Sequence, residues 1–488
     1  MAAALAVSLL AAPPLHAQLP AMGDGGDLSS GAERKLGERI ARELYRDPDY
    51  IDDPILVEYV QGIWQPLLAA ARSRGELTSE LGDRFAWQVL LGKDRSVNAF
   101  ALPGGWMGLH LGLISVTTSR DELASVLAHE LSHVTQRHIS RMMTQQNQQS
   151  PWMVGAMILG ALAASKNPQA GAALITGSQG LAVQQQLNFS RDMEREADRV
   201  GFSVMTAAGF EPQGFVSMFD KLQQAARLND NGAYPYLRTH PMTTERAADM
   251  QSRIQLAGRT PAPTTLEHAL AAARARAIAN AGVDAQRGMV AEADGSSFAA
   301  LPRVRQAGVL YAAVVAAAQL RDAPAVTRLL ARLDTSVKGD ASGERLARLL
   351  AAEAALAQGD PARTLKLVEL DGRRRPDVLL GTQALVQTGK GAEAAQRLQT
   401  WVAENPRDAA AWQLLATAYG AQGQRLRAVR AEAEARVAQL DYAAALDRFK
   451  AGQEMARKGG AGDHIEASII DTRARQVESL LREQALER

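Results

Sequence analysis

The sequence predicts a mainly α-helical protein with one small β-sheet: an N-terminal half built around a single ligand-bearing helix, then a helical solenoid. Three observations carry this. Leu123, Val126, Leu127, Leu131 and Val134 recur at spacings of three and four within Asp121–Ile139, the period of a helix face. Phe85, Trp87, Val89 and Leu91 alternate as in a strand, and Pro103-Gly104-Gly105 separates two further extended runs. Ala384, Gly389 and Ala394 recur 34 residues later as Ala418, Gly423 and Ala428, the period of a tetratricopeptide repeat.

At 488 residues the chain is too long for one ordinary core, so two or three domains are expected. Net charge is +1, from 54 basic and 53 acidic residues, which supplies no electrostatic footprint for nucleic acid, and none is expected as a partner. Aromatic residues make up 5%, and the abundant alanine favours helix. Cysteine is absent, which excludes disulfides and thiol catalysis.

Ala2–Ala12 is an apolar run followed by Pro13-Pro14-Leu15-His16-Ala17, read as a signal peptide over 1–17 that directs export. No cysteine follows it to carry a lipid anchor. Residues 18–32, glycine- and serine-rich over Gly23–Gly31, form a linker. Glu33–Arg46 and Pro54–Arg74 read as helices, the second with Leu56, Val60, Ile63, Leu67 and Leu68 in one stripe. The strand at Phe85–Leu91 follows, then Asn98–Leu102 and, after the Pro-Gly-Gly turn, a third strand over Trp106–Ile114. A sheet edge beside an active site can pair with the extended backbone of a substrate.

The helix at Asp121–Ile139 contains His129-Glu130-Leu131-Ser132-His133. Histidines at i and i+4 lie one turn apart, so both imidazoles can reach one cation. Catalytic zinc takes three protein ligands and a water, and Glu130 is placed to take a proton from that water. This is the H-E-x-x-H pattern of a zincin-type peptidase. Gln136 and Ile139 stand where a metzincin has glycine and histidine, which excludes that class. His138 falls about 140° round a continuous helix from His133 and points elsewhere. The third ligand is then a carboxylate from a later helix. Glu194 and Asp198, four apart on one face of Leu187–Ala208, are the best candidates, one for the metal and the other for a ligand histidine or the reacting groups. Arg191, Arg195 and Arg199 are candidates to pair with these acids.

Trp152–Ala164 is apolar but shorter than the ~20 residues that span a membrane. With Ala172–Val183 it forms a buried hairpin or, alternatively, a peripheral membrane- or client-facing cover over 152–183. Helices follow at Gln213–Leu228 and Thr244–Leu256, with Tyr234–Arg238 leading to His240-Pro241. A histidine before proline is biased to extended backbone and can project from a loop. His240 is placed to stabilise a transition-state oxyanion or to take the metal's fourth position. His268 and His464 lie in polar helical sequence and are expected to be solvated.

Thr260–Thr265 marks a boundary, after which Leu266–Arg287 reads as one helix and Gly288–Ala300 as a connection. Trp412, Leu415, Ala416, Tyr419 and Ala428 sit at tetratricopeptide positions, and Asp322-Ala323-Pro324-Ala325 and Gly359-Asp360-Pro361-Ala362 mark earlier turns. Tyr442–Lys458 and Ile465–Leu486 are final helices. The expected division is a leader (1–17), linker (18–32), zinc metallopeptidase domain (33–260), helical linker (261–300) and repeat domain (301–488). Stacked repeats present a concave surface suited to polypeptide.

With these stretches in view, the chain resembles the HtpX-type and CAAX-prenyl-protease-type zinc peptidases, and among them the BepA-like periplasmic members with a C-terminal tetratricopeptide domain. The likeness rests on 98–105 (Asn-Ala-Phe-Ala-Leu-Pro-Gly-Gly), 127–134 (Leu-Ala-His-Glu-Leu-Ser-His-Val), 194–198 (Glu-Arg-Glu-Ala-Asp) and Thr239-His240-Pro241, in the family's order. It is strong over about 30–260 and weaker beyond. It implies one zinc held by His129, His133 and Glu194, Glu130 as general base and Asp198 as an auxiliary acid. Glu196, the competing third ligand, lacks the family's spacing to Asp198. It also implies a periplasmic endopeptidase acting on misfolded or stalled polypeptide, with outer-membrane β-barrel proteins and their assembly machinery as partners. Two alternatives stand beside it: a chaperone or assembly scaffold with a latent or structural metal site, and a repeat adaptor with no metal.

Overall fold

The computed structural model describes residues 28–145, 190–227, 233–257, 263–458 and 463–485. The leader at 1–17, most of the linker and the apolar run at 152–183 lie outside the described residues. Helix α1 (Ser30–Arg46) begins where the Ser29 side chain accepts from the Ala32 N–H. Helix α2 (Pro54–Ser73) begins where Asp53 accepts from the Leu56 N–H at 2.8 Å, with proline in its first turn. The stripe expected on α2 is buried, namely Leu56, Val60, Ile63, Leu67 and Leu68, and the short helix α3 (Ser79–Arg84) follows.

Four strands, β1 (Tyr50–Ile51), β2 (Gln88–Gly92), β3 (Ala99–Leu102) and β4 (Trp106–His110), form one sheet in the order β1-β2-β4-β3. β2 and β4 run parallel, with Gln88 opposite Trp106, and β3 returns antiparallel to β4, with Leu102 opposite Trp106. The β3–β4 turn requires glycine: Gly104 and Gly105 have φ of 72° and 80°, and a Cβ on Gly104 would lie 2.7 Å from Arg34 Cα. Two-residue β1 was not anticipated. The third strand was expected to run to Ile114 but ends at His110, and Leu111–Val116 is the short helix α4. A short run this apolar, broken only by His110, suits a buried strand or a buried helix equally.

Helix α5 (Arg120–Thr135), buried along almost its whole length, packs in one core with the sheet, and α6 (His138–Gln145) follows. α7 (Arg191–Ala207), α8 (Gln213–Arg227), α9 (Tyr236–Thr239) and α10 (Thr244–Ala257) complete this half. Its core joins Ile63, Leu67, Met107, Leu109, Leu123, Leu127, Leu131, Val204, Phe215 and Leu222. The outer face of the sheet packs Leu90, Leu102 and Trp106 against Leu36 and Ile40 of α1.

Leu266–Arg287 is not one helix: α11 (Leu266–Ala279) stops before Gly282, and α12 (Val283–Asp294) runs through much of the expected connection. α11 faces two ways. Ala271, Ala275 and Ala279 join the first core, whereas Leu266, Leu270, Ala273 and Ala277 join the core of the helices that follow. His268 is buried rather than solvated, with Nδ1 2.7 Å from the Tyr59 hydroxyl and Nε2 2.9 Å from the Thr117 carbonyl oxygen.

The C-terminal half is a succession of helices: α13 (Arg303–Gln319), α14 (Ala323–Val337), α15 (Ala341–Ala357), α16 (Pro361–Leu367), α17 (Arg375–Gln387), α18 (Gly391–Glu404), α19 (Ala409–Ala421), α20 (Arg425–Ala438), α21 (Tyr442–Lys458) and α22 (His464–Ala485). The two expected turns fall where Asp322 and Asp360 cap α14 and α16 ahead of a first-turn proline. Gly389 and Gly423, with φ of 79° and 72°, end successive first helices of a pair. The series curls back onto the first half: Arg375 pairs with Asp52 at 2.7 Å and Arg46 with Asp441 at 3.1 Å. No described helix is long and apolar enough to cross a membrane.

Candidate metal centre

Ser119 caps α5 through the Glu122 N–H, and the helix then presents His129 and His133 on one buried turn. Ser190 caps α7 in the same way, through the Met193 N–H. α7 approaches α5 closely because residue 201 is glycine. A Cβ there would lie 3.1 Å from the Ala128 carbonyl and the His129 nitrogen, and that closeness delivers Glu194 and Asp198 to the histidines.

His129, His133, Glu194 and His240 each offer one ligand atom within a 4.8 Å cluster, all four residues buried. A tetrahedral zinc site with bonds of about 2.0–2.1 Å has ligand–ligand edges of roughly 3.3 Å. The separations match that size: His129 Nε2 to His133 Nε2 is 3.0 Å, His129 Nε2 to His240 Nδ1 3.3 Å, His133 Nε2 to Glu194 Oε1 3.4 Å, and His240 Nδ1 to Glu194 Oε1 2.9 Å. The donor set of three imidazoles and a carboxylate suits zinc. The residues therefore fit the ion.

Supporting groups fix each ligand. His129 Nδ1 lies 2.9 Å from Asp198 Oδ1. Asp198 receives a two-pronged bond from Arg246, Nε to Oδ2 at 2.6 Å and Nη2 to Oδ1 at 2.8 Å, and Arg246 Nη1 also lies 2.7 Å from Glu194. Arg246 further donates to the Pro241 carbonyl oxygen, pinning the His240 loop, and Tyr236 stacks on the His240 ring at 4.5 Å. Glu130 Oε2 accepts from the Ala101 N–H of edge strand β3 at 2.9 Å. Its Oε1 is buried without a hydrogen bond, 3.3 Å from His240 Nε2.

Burial pushes the Glu130 carboxyl above its usual range, against the pull of His240 and His129, the direction a general base needs. Burial would equally raise Glu194, but His240 and His129 hold it well below that range. Burial opposes charge on His129, yet Asp198 and Glu194 outweigh it and push the imidazole up to about 9. His133 is held well below its ordinary value by burial.

The six residues singled out in the sequence, His129, Glu130, His133, Glu194, Asp198 and His240, thus meet in one buried cluster. Two others, Arg246 and Tyr236, went unread, and His138 was misplaced. Arg246 supplies the cation for Asp198, whereas Arg195 pairs with exposed Asp192. Tyr236 packs the His240 loop. His138 was expected to point away; instead the helix breaks at Gln136–Arg137, and His138 returns to touch His133. Glu196, the competing ligand, lies outside the four-residue cluster and pairs with His138 and Arg141. Glu194, Asp198 and His240 converging on an α5-borne H-E-x-x-H define a metallopeptidase.

The comparisons agree. The model of peptidase family M48 matches residues 67–254. The chain is 30% identical over 435 residues to the Beta-barrel assembly-enhancing protease of Escherichia coli (strain K12), covering 88% of this chain and 86% of that protein. It is 35% identical over 275 residues to a putative protein of that description from Vibrio cholerae, covering 55% and 54%. A mitochondrial metalloendopeptidase of Saccharomyces cerevisiae is 27% identical over 199 residues, 39% of this chain and 54% of that one. The chain belongs to peptidase family M48 and is a metalloendopeptidase.

Proposed function

We propose that the chain is a periplasmic zinc-dependent endopeptidase that degrades misfolded or stalled polypeptides during outer-membrane β-barrel assembly. In this reading the C-terminal helices act as tetratricopeptide-like repeats that recruit clients. The compartment and client class are supported by the apolar leader in the sequence and by the relatives described as β-barrel assembly-enhancing. The chemistry is supported above all by one observation: Glu130 sits between the candidate ligand cluster and edge strand β3.

His129, His133 and Glu194 would hold the zinc, which would supply an electrophile for the scissile carbonyl and acidify a water. Glu130 Oε1, raised in basicity by burial and free of hydrogen bonds, accepts the proton of the attacking water and returns it to the departing amine nitrogen. Glu130 Oε2 stays fixed on the Ala101 N–H. The Asn98 carbonyl accepts from the His110 N–H, so by antiparallel alternation Phe100 and Leu102 turn their backbone to β4 and Ala99 and Ala101 turn theirs to the sheet edge, where, beside the Ala101 N–H held by Glu130, an extended substrate can lie as an added strand. The position of His240 Nδ1 at the fourth corner of the cluster supports a latent resting state, in which activity requires the Tyr236–Pro241 segment to withdraw.

Metal content and casein degradation of the full chain and two variants test this reading. Glu130→Gln retains one zinc per chain and loses hydrolysis, whereas Glu194→Ala loses the zinc. Full zinc in Glu194→Ala, with loss in Glu196→Ala, would move the ligand assignment. A chaperone or scaffold with a closed site, which the filled fourth corner also suits, predicts that Glu130→Gln still supports β-barrel assembly fully.

A further inference from the structure

The two ligand histidines of α5 are held from behind in different ways. His129 leans directly on a carboxylate, Asp198. His133 leans on another histidine: its Nδ1 lies 2.9 Å from His138 Nδ1, the rings edge-to-face with centroids 4.9 Å apart. His138 is fully buried, and its Nε2 lies 3.1 Å from Glu196 Oε2, which also accepts from Arg141 at 2.8 Å.

The local chain is shaped for this contact. α5 ends at Thr135 and α6 begins at His138. Between them Arg137 takes a left-handed φ of 53°, unfavourable for a side chain longer than glycine's. Its guanidinium is anchored to buried Glu33 at 3.1 Å and to the Leu28 carbonyl oxygen. A residue five places along a continuous helix would face away from His133. The kink turns it back.

We propose that His138 is a positioning residue for the metal site, holding His133 in the tautomer and rotamer that binds zinc. The inference rests on the zinc reading above. With Nε2 of His133 turned to the metal, its Nδ1–H donates to His138 Nδ1. His138 then carries its own proton on Nε2 and donates it to Glu196. Every ring nitrogen has one role, and only one tautomer of each histidine satisfies the chain of bonds. The neutral imidazole also keeps the Glu196 charge one ring further out than Asp198. That limits the anionic charge packed round a centre that already holds Glu130, Glu194 and Asp198.

Zinc affinity, read by competition with a chromophoric chelator on the full chain, separates this from a structural role. His138→Leu should weaken zinc binding about 10- to 100-fold, the range for losing such a partner, and lower kcat with KM little changed. Thermal unfolding of the metal-free protein checks that the fold persists. His138→Asn, whose Oδ1 stands where Nδ1 stood, should recover most of the affinity. Unchanged affinity in His138→Leu overturns the proposal, as does equal loss in the Leu and Asn variants accompanied by loss of metal-free stability. Should the Leu variant not fold, Glu196→Ala, which removes the acceptor at a partly exposed side chain, carries the test with a smaller loss, and no loss there overturns the proposal. Absence of zinc from the unaltered chain would instead overturn the metal site itself.

Discussion

His240 Nδ1 stands 3.3 Å from His129 Nε2 and 2.9 Å from Glu194 Oε1, close enough to complete a tetrahedron, while its Nε2 faces the free oxygen of Glu130. One side chain therefore touches both the candidate ligands and the candidate base. In that position it blocks the corner where water must enter and crowds the oxygen that must take its proton. His240→Ala is expected to raise basal casein cleavage several-fold with zinc retained, since three ligands remain. Lower cleavage in that variant would instead mark the ring as an oxyanion stabiliser, and unchanged cleavage would exclude both roles. The site was legible in the sequence as far as spacing fixes geometry. Two histidines four apart, and two acids four apart, must share faces on any helix. Arg246 was not legible, because a lone arginine on a polar helix has no period to betray that it turns inward.

At the scale of elements, reading failed where the backbone changes direction without glycine or proline. The sequence around Gln136–Arg137 contains neither, so α5 and α6 read as one helix and His138 was placed on the wrong face. The two residues of β1 are too few to show alternation. α11 was misread for another reason: its alanine-rich sequence carries apolar residues all round and marks no single face, so it packs on both sides, and His268 is buried between Tyr59 and Thr117. Burial lowers the pKa of this imidazole, against the Thr117 carbonyl. In the unfolded chain the group titrates near 6.5. As pH falls through that value the unfolded state takes up a proton that folded His268 refuses, so stability falls until the folded pKa is reached. Urea unfolding at about pH 7.5 and about pH 5.5 should show a smaller acid-induced loss in His268→Gln than in the unaltered chain. His133 and His138 are common to both and cancel in the comparison. Equal losses would mean that His268 is protonated in the fold.

At the scale of the molecule, the expected boundary at 260 falls before a helix that belongs to both halves. α11 gives alanines to the peptidase core and leucines to the core of the C-terminal helices, and at its centre Arg274 is buried. Its Nη2 lies 2.6 Å from Asp53 Oδ2 and its Nη1 2.8 Å from Glu353 of α15. Asp53 is itself the cap of α2, so one guanidinium ties the start of a peptidase helix to the C-terminal helices. Burial works against its charge, but Asp53 and Glu353 raise its pKa further, so it remains a cation. Arg274→Met keeps most of the volume and leaves Asp53 buried without a counter-charge. Breaking a buried pair from one side costs about 3–5 kcal/mol, far more than an exposed pair such as Arg46–Glu43 contributes. That loss falls at the junction and not within either core. The unaltered chain is therefore expected to lose the structure of the peptidase half and of the C-terminal helices in one denaturant transition, and Arg274→Met to show two, with the midpoint of at least one lowered. Tryptophan fluorescence, with Trp64 and Trp87 in the first half and Trp401 and Trp412 in the second, can follow both. A single transition with an unshifted midpoint in the variant would show that the apolar faces of α11 alone join the halves.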